Sequence, residues 1–262
     1  MKRREFLKTG ASLSSFMLVS ANPLRVLSKF GEDDANHAEF AVGDQIPPEV
    51  FVQDKSLQRL SLQDICQAKA DASVILLFIY GGGFVHKPER IGGIWCVDSF
   101  EDLYIIRYIK NKYAQDPVDF IPVACPPLYS SHYYGLKKRI FLDEPEESQE
   151  FQDSADAFVQ KTEEVITNKF LPMPTYYDLR FRLLFNRSEE WRPGEGYGEI
   201  YDWQGKFRAN EETQKYGTPT LWLINSEGVI LEKPFWGNLY HSEPFEIRYT
   251  VKDVDKAVAR NL

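Results

Sequence analysis

The chain has 262 residues, 43% of them hydrophobic and 14% aromatic. That is enough for one enlarged domain or two small ones with a packed core, and it is not the composition of a disordered chain. The net charge of −8 excludes the basic face that a nucleic-acid binder needs and points only to a soluble, acidic surface. Three cysteines, Cys66, Cys96 and Cys125, are too few for a disulfide scaffold: at most one pair forms and one thiol is left over.

The chain opens Met1-Lys2-Arg3-Arg4-Glu5-Phe6-Leu7-Lys8. Two adjacent arginines followed by a spacer, Phe, Leu and Lys resemble the twin-arginine export signal. The weakly apolar stretch from Thr9 to Ala21 is too short to span a bilayer. Val19-Ser20-Ala21 places small residues at the −3 and −1 positions of a cleavage site. The expectation is a signal peptide over 1–21, a polar linker over 22–38 carrying Glu32-Asp33-Asp34, and a folded domain over 39–262. Export through the twin-arginine machinery implies a periplasmic or otherwise external location that tolerates disulfides, with no stable membrane insertion after cleavage. The alternative is an uncleaved anchor or a chance basic start.

Within the domain, Val50-Phe51-Val52 and Leu60-Ser61-Leu62 read as an extended lead-in, and Ser61 to Lys69 as a short helix capped by Ser61. Cys66 on that helix reads as a buried structural thiol. Val74 to Tyr80 is an uninterrupted apolar run, the pattern of a strand buried on both faces of a parallel sheet. A glycine-rich loop from Gly81 to Gly93 follows. It is no phosphate loop, because it lacks the following Gly-Lys-Ser/Thr and an immediate helix.

Phe100, Leu103, Ile106 and Ile109 recur at helical spacing up to Tyr113. Asp98, Glu101 and Asp102 sit at the start of this stretch, with Lys110 and Lys112 at its end, an order that suits the helix dipole. Cys96 therefore falls at or just before a helix N-terminus. Asp119 to Cys125 reads as a second parallel strand, stopped by Pro126-Pro127.

Ser154 to Asn168 reads as helical, Thr175-Tyr176-Tyr177 as extended, and Leu179 to Phe185 as ambiguous. Residues 186–212 are polar and glycine-rich. Arg180, Arg182 and Arg187 read as solvated or locally paired, and Trp191, Tyr197, Tyr201 and Trp203 as either a peptide groove or insertion packing. Pro219 to Asn225 is a strand, Asn225 to Gly228 a turn, and Val229 to Glu232 its antiparallel partner. Thr250 to Ala259 closes the chain as a helix with a Thr250/Asp253 capping box.

Trp95-Cys96-Val97-Asp98-Ser99 at a strand-to-helix junction resembles the Trp-Cys-x-x-Cys site of thioredoxin-like proteins, with Ser99 in place of the second Cys. Tyr216-Gly217-Thr218-Pro219-Thr220, ahead of a strand and a turn, resembles their proline loop. The resemblance spans residues 43–258 and leans toward the exported, peroxiredoxin-related branch. It implies a thioredoxin-like three-layer α/β fold: a mixed central sheet flanked by helices, with a long central insertion at about 126–212. It also implies that Pro219 faces the reactive Cys96 and that Thr218 offers backbone groups to a bound peptide. The activity implied is thiol–disulfide exchange or thiol-based reduction of a small oxidant, acting on protein thiols and disulfides, with no cofactor and no metal. The peroxiredoxin signature has Thr three residues before its Cys; Gly93 stands there in this chain, and Pro88 lies farther off. No acid lies within Val74 to Tyr80 to match the buried acid of thioredoxin.

A thiolate at a helix N-terminus is stabilised by the dipole and by unpaired N–H groups, which lower a pKa of about 8.5 by one or more units. In this reading Cys96 is the nucleophile, Trp95 shields it and Ser99 donates a hydrogen bond to it. Parallel strands bring their C-terminal ends to one sheet edge, so Cys125 is placed near Cys96. Cys125 is either a resolving thiol, if the two Cα atoms come within about 7 Å, or core filling at a strand end. Two other classes stay open. One is a binding module that keeps the fold without turnover. The other is a copper-handling protein using Cys96, Cys125, His86 and His132, whose spacing matches no tight metal motif.

Overall fold

The computed structural model describes residues 42–48, 50–81, 97–126, 140–180, 219–236 and 249–262. Residues 1–41, with the expected signal peptide and linker, lie outside these, as do Trp95, Cys96, His86, His132 and Thr218. The described elements are β1 (Phe51–Gln53), β2 (Arg59–Ser61), α1 (Leu62–Gln67), β3 (Val74–Gly81), α2 (Val97–Lys112), β4 (Val118–Cys125), α3 (Ile140–Asp143), α4 (Gln149–Thr162), a wide π turn (Glu163–Thr167), β5 (Tyr176–Tyr177), β6 (Thr220–Ile224), β7 (Phe235–Trp236) and α5 (Val251–Asn261).

Seven described strands form one mixed sheet in the order β2-β1-β5-β4-β3-β6-β7. The centre is β3, every residue of which is buried. It runs parallel to β4, from Val74 against Val118 to Gly81 against Cys125. On its other side it runs antiparallel to β6, Leu77 opposite Trp222 and Ile79 opposite Thr220. The unbroken run Val74 to Tyr80 thus has the cause expected of it: no residue of the strand meets water.

Helices cover both faces. Neighbouring residues of a strand point to opposite faces. Tyr177 packs edge-on against Phe158 of α4 at 6.1 Å between ring centroids. Tyr176, on the reverse face, has the Cys66 thiol of α1 among its electrostatic neighbours. Three layers, with the β3–α2–β4 crossover and the antiparallel β6–β7 pair beside β3, make the fold thioredoxin-like α/β.

The expected antiparallel return after β6 forms: Ile230 bridges Ile224, the Leu231 N–H donates to Leu223 O at 2.8 Å and the Asn225 N–H to Val229 O at 3.0 Å, and the chain goes on to β7, which pairs with β6 through Leu221 opposite Phe235 and Thr220 opposite Trp236. The expected turn does form, with Gly228 at φ 78° and its N–H on Asn225 O at 2.9 Å. Within the span 126–212, the stretch expected to be extended forms β5, which lies parallel to β4 with Val123 opposite Tyr176 and Ala124 opposite Tyr177.

The helix expected over 154–168 begins earlier, at Gln149. Ser148 caps it by accepting the Phe151 N–H at 3.1 Å, and its last turn widens into the π turn. Arg180, expected to be solvated or locally paired, is buried and paired. Its Nη1 and Nη2 donate to the carbonyls of Phe141 and Glu144 at 2.8 and 2.7 Å, and its Nε to Glu146 at 3.1 Å. Ser61 stands at the α1 N-cap without a side-chain bond. No described helix is long and apolar enough to cross a membrane.

Candidate functional site

Four described features meet at the C-terminal edge of β3 and β4. The first is Gly81, the last residue of β3, at φ 92°. A Cβ there would lie 2.2 Å from the Cys125 carbonyl oxygen, so the backbones approach too closely for any side chain. The second is the start of α2 at Val97, directly after Cys96 in the chain. The third is Cys125, fully buried at the end of β4 and level with Gly81. The fourth is Pro219, buried and one residue ahead of Thr220, which pairs with Ile79.

Ser99 ties the first two together. Its buried Oγ accepts the Gly81 N–H at 2.9 Å. The hydroxyl satisfies a backbone donor where β3 leaves the sheet, and so fastens the described start of α2 to the strand end. Leu103, Ile106 and Ile109 bury the inner stripe of α2 as their spacing requires.

Two carboxylates near this edge escape a reading by pattern. Asp102, whose place near the helix start suits the dipole, is buried and accepts a hydrogen bond from the Tyr249 hydroxyl. Asp178 follows β5 and is 2% exposed. The available signal for Asp178 was an acid directly after an extended aromatic pair, which is too short a run to fix the register.

Burial pushes the Cys66 thiol up to about 12, against a smaller opposing effect of Lys69. This agrees with a structural role. Tyr80 and Tyr177 are also pushed upward, chiefly by burial. Tyr177 donates to Glu163 Oε1 at 2.7 Å; Thr167 donates to the same oxygen at 3.2 Å and meets Thr175 at 3.0 Å. The Tyr80 hydroxyl is buried beside Thr175 of this cluster. No group of three or more metal-ligating side chains occurs among the described residues. Cys96, Trp95, Thr218, His86 and His132 lie outside the described residues.

No protein-family model matches the chain, and no curated protein matches it in sequence. Among solved structures it is similar to the thioredoxin domain of a thiol-disulfide oxidoreductase from Bacteroides vulgatus (TM-score 0.38, 12% identity, covering 84% of this chain and 97% of that one). It is similar as well to a thioredoxin-family thiol:disulfide interchange protein from Chlorobium tepidum (TM-score 0.37, 11% identity, 84% and 99%). A third is a thiol peroxidase from Chromobacterium violaceum (TM-score 0.39, 12% identity, 84% and 87%). The fold itself follows from the strand order and register given above.

Proposed function

We propose that the chain is an exported thiol oxidoreductase with Cys96 as its nucleophile, acting on protein disulfides or on a small oxidant. The observation that carries this reading is the anchoring of α2. The described part of α2 begins at Val97, the residue after Cys96 in the sequence, and Ser99 ties it to Gly81, on the edge where Cys125 and Pro219 also lie. Backbone N–H groups at such a helix start favour a thiolate. Trp95 and Thr218 complete the proposed site: Trp95 as a shield beside the sulfur, Thr218 and Pro219 as the surface that holds a substrate chain in extended form. Cys125 is the resolving thiol. No cofactor enters this chemistry.

The test is alkylation by iodoacetamide at neutral pH. Cys96 should react about tenfold faster than an ordinary cysteine, and the fast phase should vanish in Cys96→Ser. A rate no different from a free thiol would leave the fold with a binding role only. For location, we propose removal of residues 1–21 after twin-arginine export. The mature chain recovered outside the cytoplasm should begin at Asn22, and replacing both Arg3 and Arg4 by Lys should retain the precursor inside. Cleavage elsewhere, or export indifferent to those arginines, would overturn the assignment.

A further inference from the structure

One face of the sheet holds two buried phenols beside a single carboxylate. Tyr80 on β3 stands opposite Ala124 on β4, and Ala124 stands opposite Tyr177 on β5. Residues opposite each other in neighbouring strands share a face. Only the methyl group of Ala124 therefore separates the two rings in their row, and Tyr80 is among the electrostatic neighbours of Tyr177. Both tyrosines are fully buried. Their hydroxyls are not equivalent. Tyr80 has the Thr175 hydroxyl beside it. Tyr177 donates to Glu163 Oε1 at 2.7 Å.

Glu163 opens the π turn, and Thr167, one turn on, donates to the same oxygen at 3.2 Å. The carboxylate is half-buried, so one side of it meets water. A buried phenol ordinarily finds some hydrogen-bond partner. Here the partner is a base with a way out to solvent. Burial first, and Glu163 second, push the Tyr177 phenol upward, so at rest it keeps its proton. Removing an electron makes a phenol strongly acidic, and the electron leaves readily only where a base takes the proton. Such a base must lie within about 2.6–3.2 Å of the oxygen it deprotonates.

We propose that Tyr177 is a one-electron donor, with Glu163 as its proton acceptor. The reactant is a diffusible one-electron oxidant, such as an inorganic radical, reduced at the protein surface. The electron crosses the packed side chains to the oxidant, and the hydroxyl proton moves to Glu163 Oε1. Glu163 passes that proton to water. What remains is a neutral tyrosyl radical on Tyr177, one electron and one proton poorer. This adds one-electron chemistry to a fold whose thiols work by electron pairs, and it does not depend on Cys96 being a nucleophile.

The test is flash photolysis of tris(bipyridine)ruthenium(II) with persulfate in the presence of the full chain. The tyrosyl radical is followed by its absorption and by electron paramagnetic resonance. Exposed tyrosines, Tyr104 and Tyr108 among them, yield radicals that decay quickly. Tyr177 should yield a second, long-lived radical whose relaxation a soluble nickel chelate leaves unchanged. It should vanish in Tyr177→Phe and persist in Tyr80→Phe, since the second phenol is as deeply buried but lacks the base. It should persist in Cys96→Ser as well. A native chain without the long-lived radical, or a radical that survives Tyr177→Phe, overturns the proposal.

Glu163→Gln tests the proton step. It keeps an oxygen to accept the phenol O–H but removes the base, so the radical should form about 100-fold more slowly. A hydrogen bond that serves packing alone predicts an unchanged rate, and that result would sink the pair. Should Tyr177→Phe not fold, Glu163→Gln decides by itself.

Discussion

A methyl group added at Gly81 would overlap the Cys125 carbonyl oxygen, on a backbone already at positive φ. Neither neighbour yields cheaply. The carbonyl belongs to a central strand, and the Gly81 N–H is committed to Ser99. Gly81→Ala should destabilise the protein by about 3 kcal/mol in chemical unfolding. A cost under about 1 kcal/mol would show that the strand end is looser than described. In the sequence this glycine is one of three in a row, Gly81-Gly82-Gly83, and reads as the start of a loop. Its closing of the β3 ladder follows from its partner Cys125, 44 positions later in the numbering, which no local pattern reveals.

The elements were legible to the degree that burial imprints a period. Strands β3 and β4 are read directly from the sequence, since burial on both faces produces an unbroken apolar run. Helix α2 is read from its stripe, and α5 from its stripe and its cap: the Thr250 N–H donates to Asp253 Oδ2 at 2.8 Å. Strands β5 and β7 are two residues long, carry no period, and owe their place to β4 and β6. The π turn leaves no mark in the sequence, because one extra residue in a helical turn leaves composition unchanged.

Helices α2 and α5 are joined by Asp255, which accepts hydrogen bonds from Lys112 Nζ and from the Tyr113 hydroxyl, the latter at 2.8 Å. Lys112 first and Tyr113 second hold this carboxyl below its ordinary value of 3.8. A lowered value in the fold means stability that is complete above 3.8 and drains away as pH falls through the lower folded value. Asp255→Asn should therefore flatten the loss of stability below pH 4 in acid unfolding curves, with little change at pH 7. An unchanged acid limb would remove Asp255 from the account.

At the scale of the molecule, Cys66 reports on the whole core. It is fully buried on α1, and its thiol is pushed up to about 12 by burial. It should resist alkylation at neutral pH in native buffer and react once the protein is globally opened. Its rate should rise with urea in parallel with unfolding. Fast labelling without denaturant would mean that α1 opens independently of the sheet.

The margins of the described sheet have a consequence of their own. Strand β2 lies outermost on one side, only three residues long, and carries exposed Arg59, whose guanidinium lies 3.9 Å over the Phe51 ring. A short border topped by a cation gives an incoming chain few amides to grip and a charge to desolvate. Growth of the sheet into fibrils is discouraged from that side by the same residues that begin the domain.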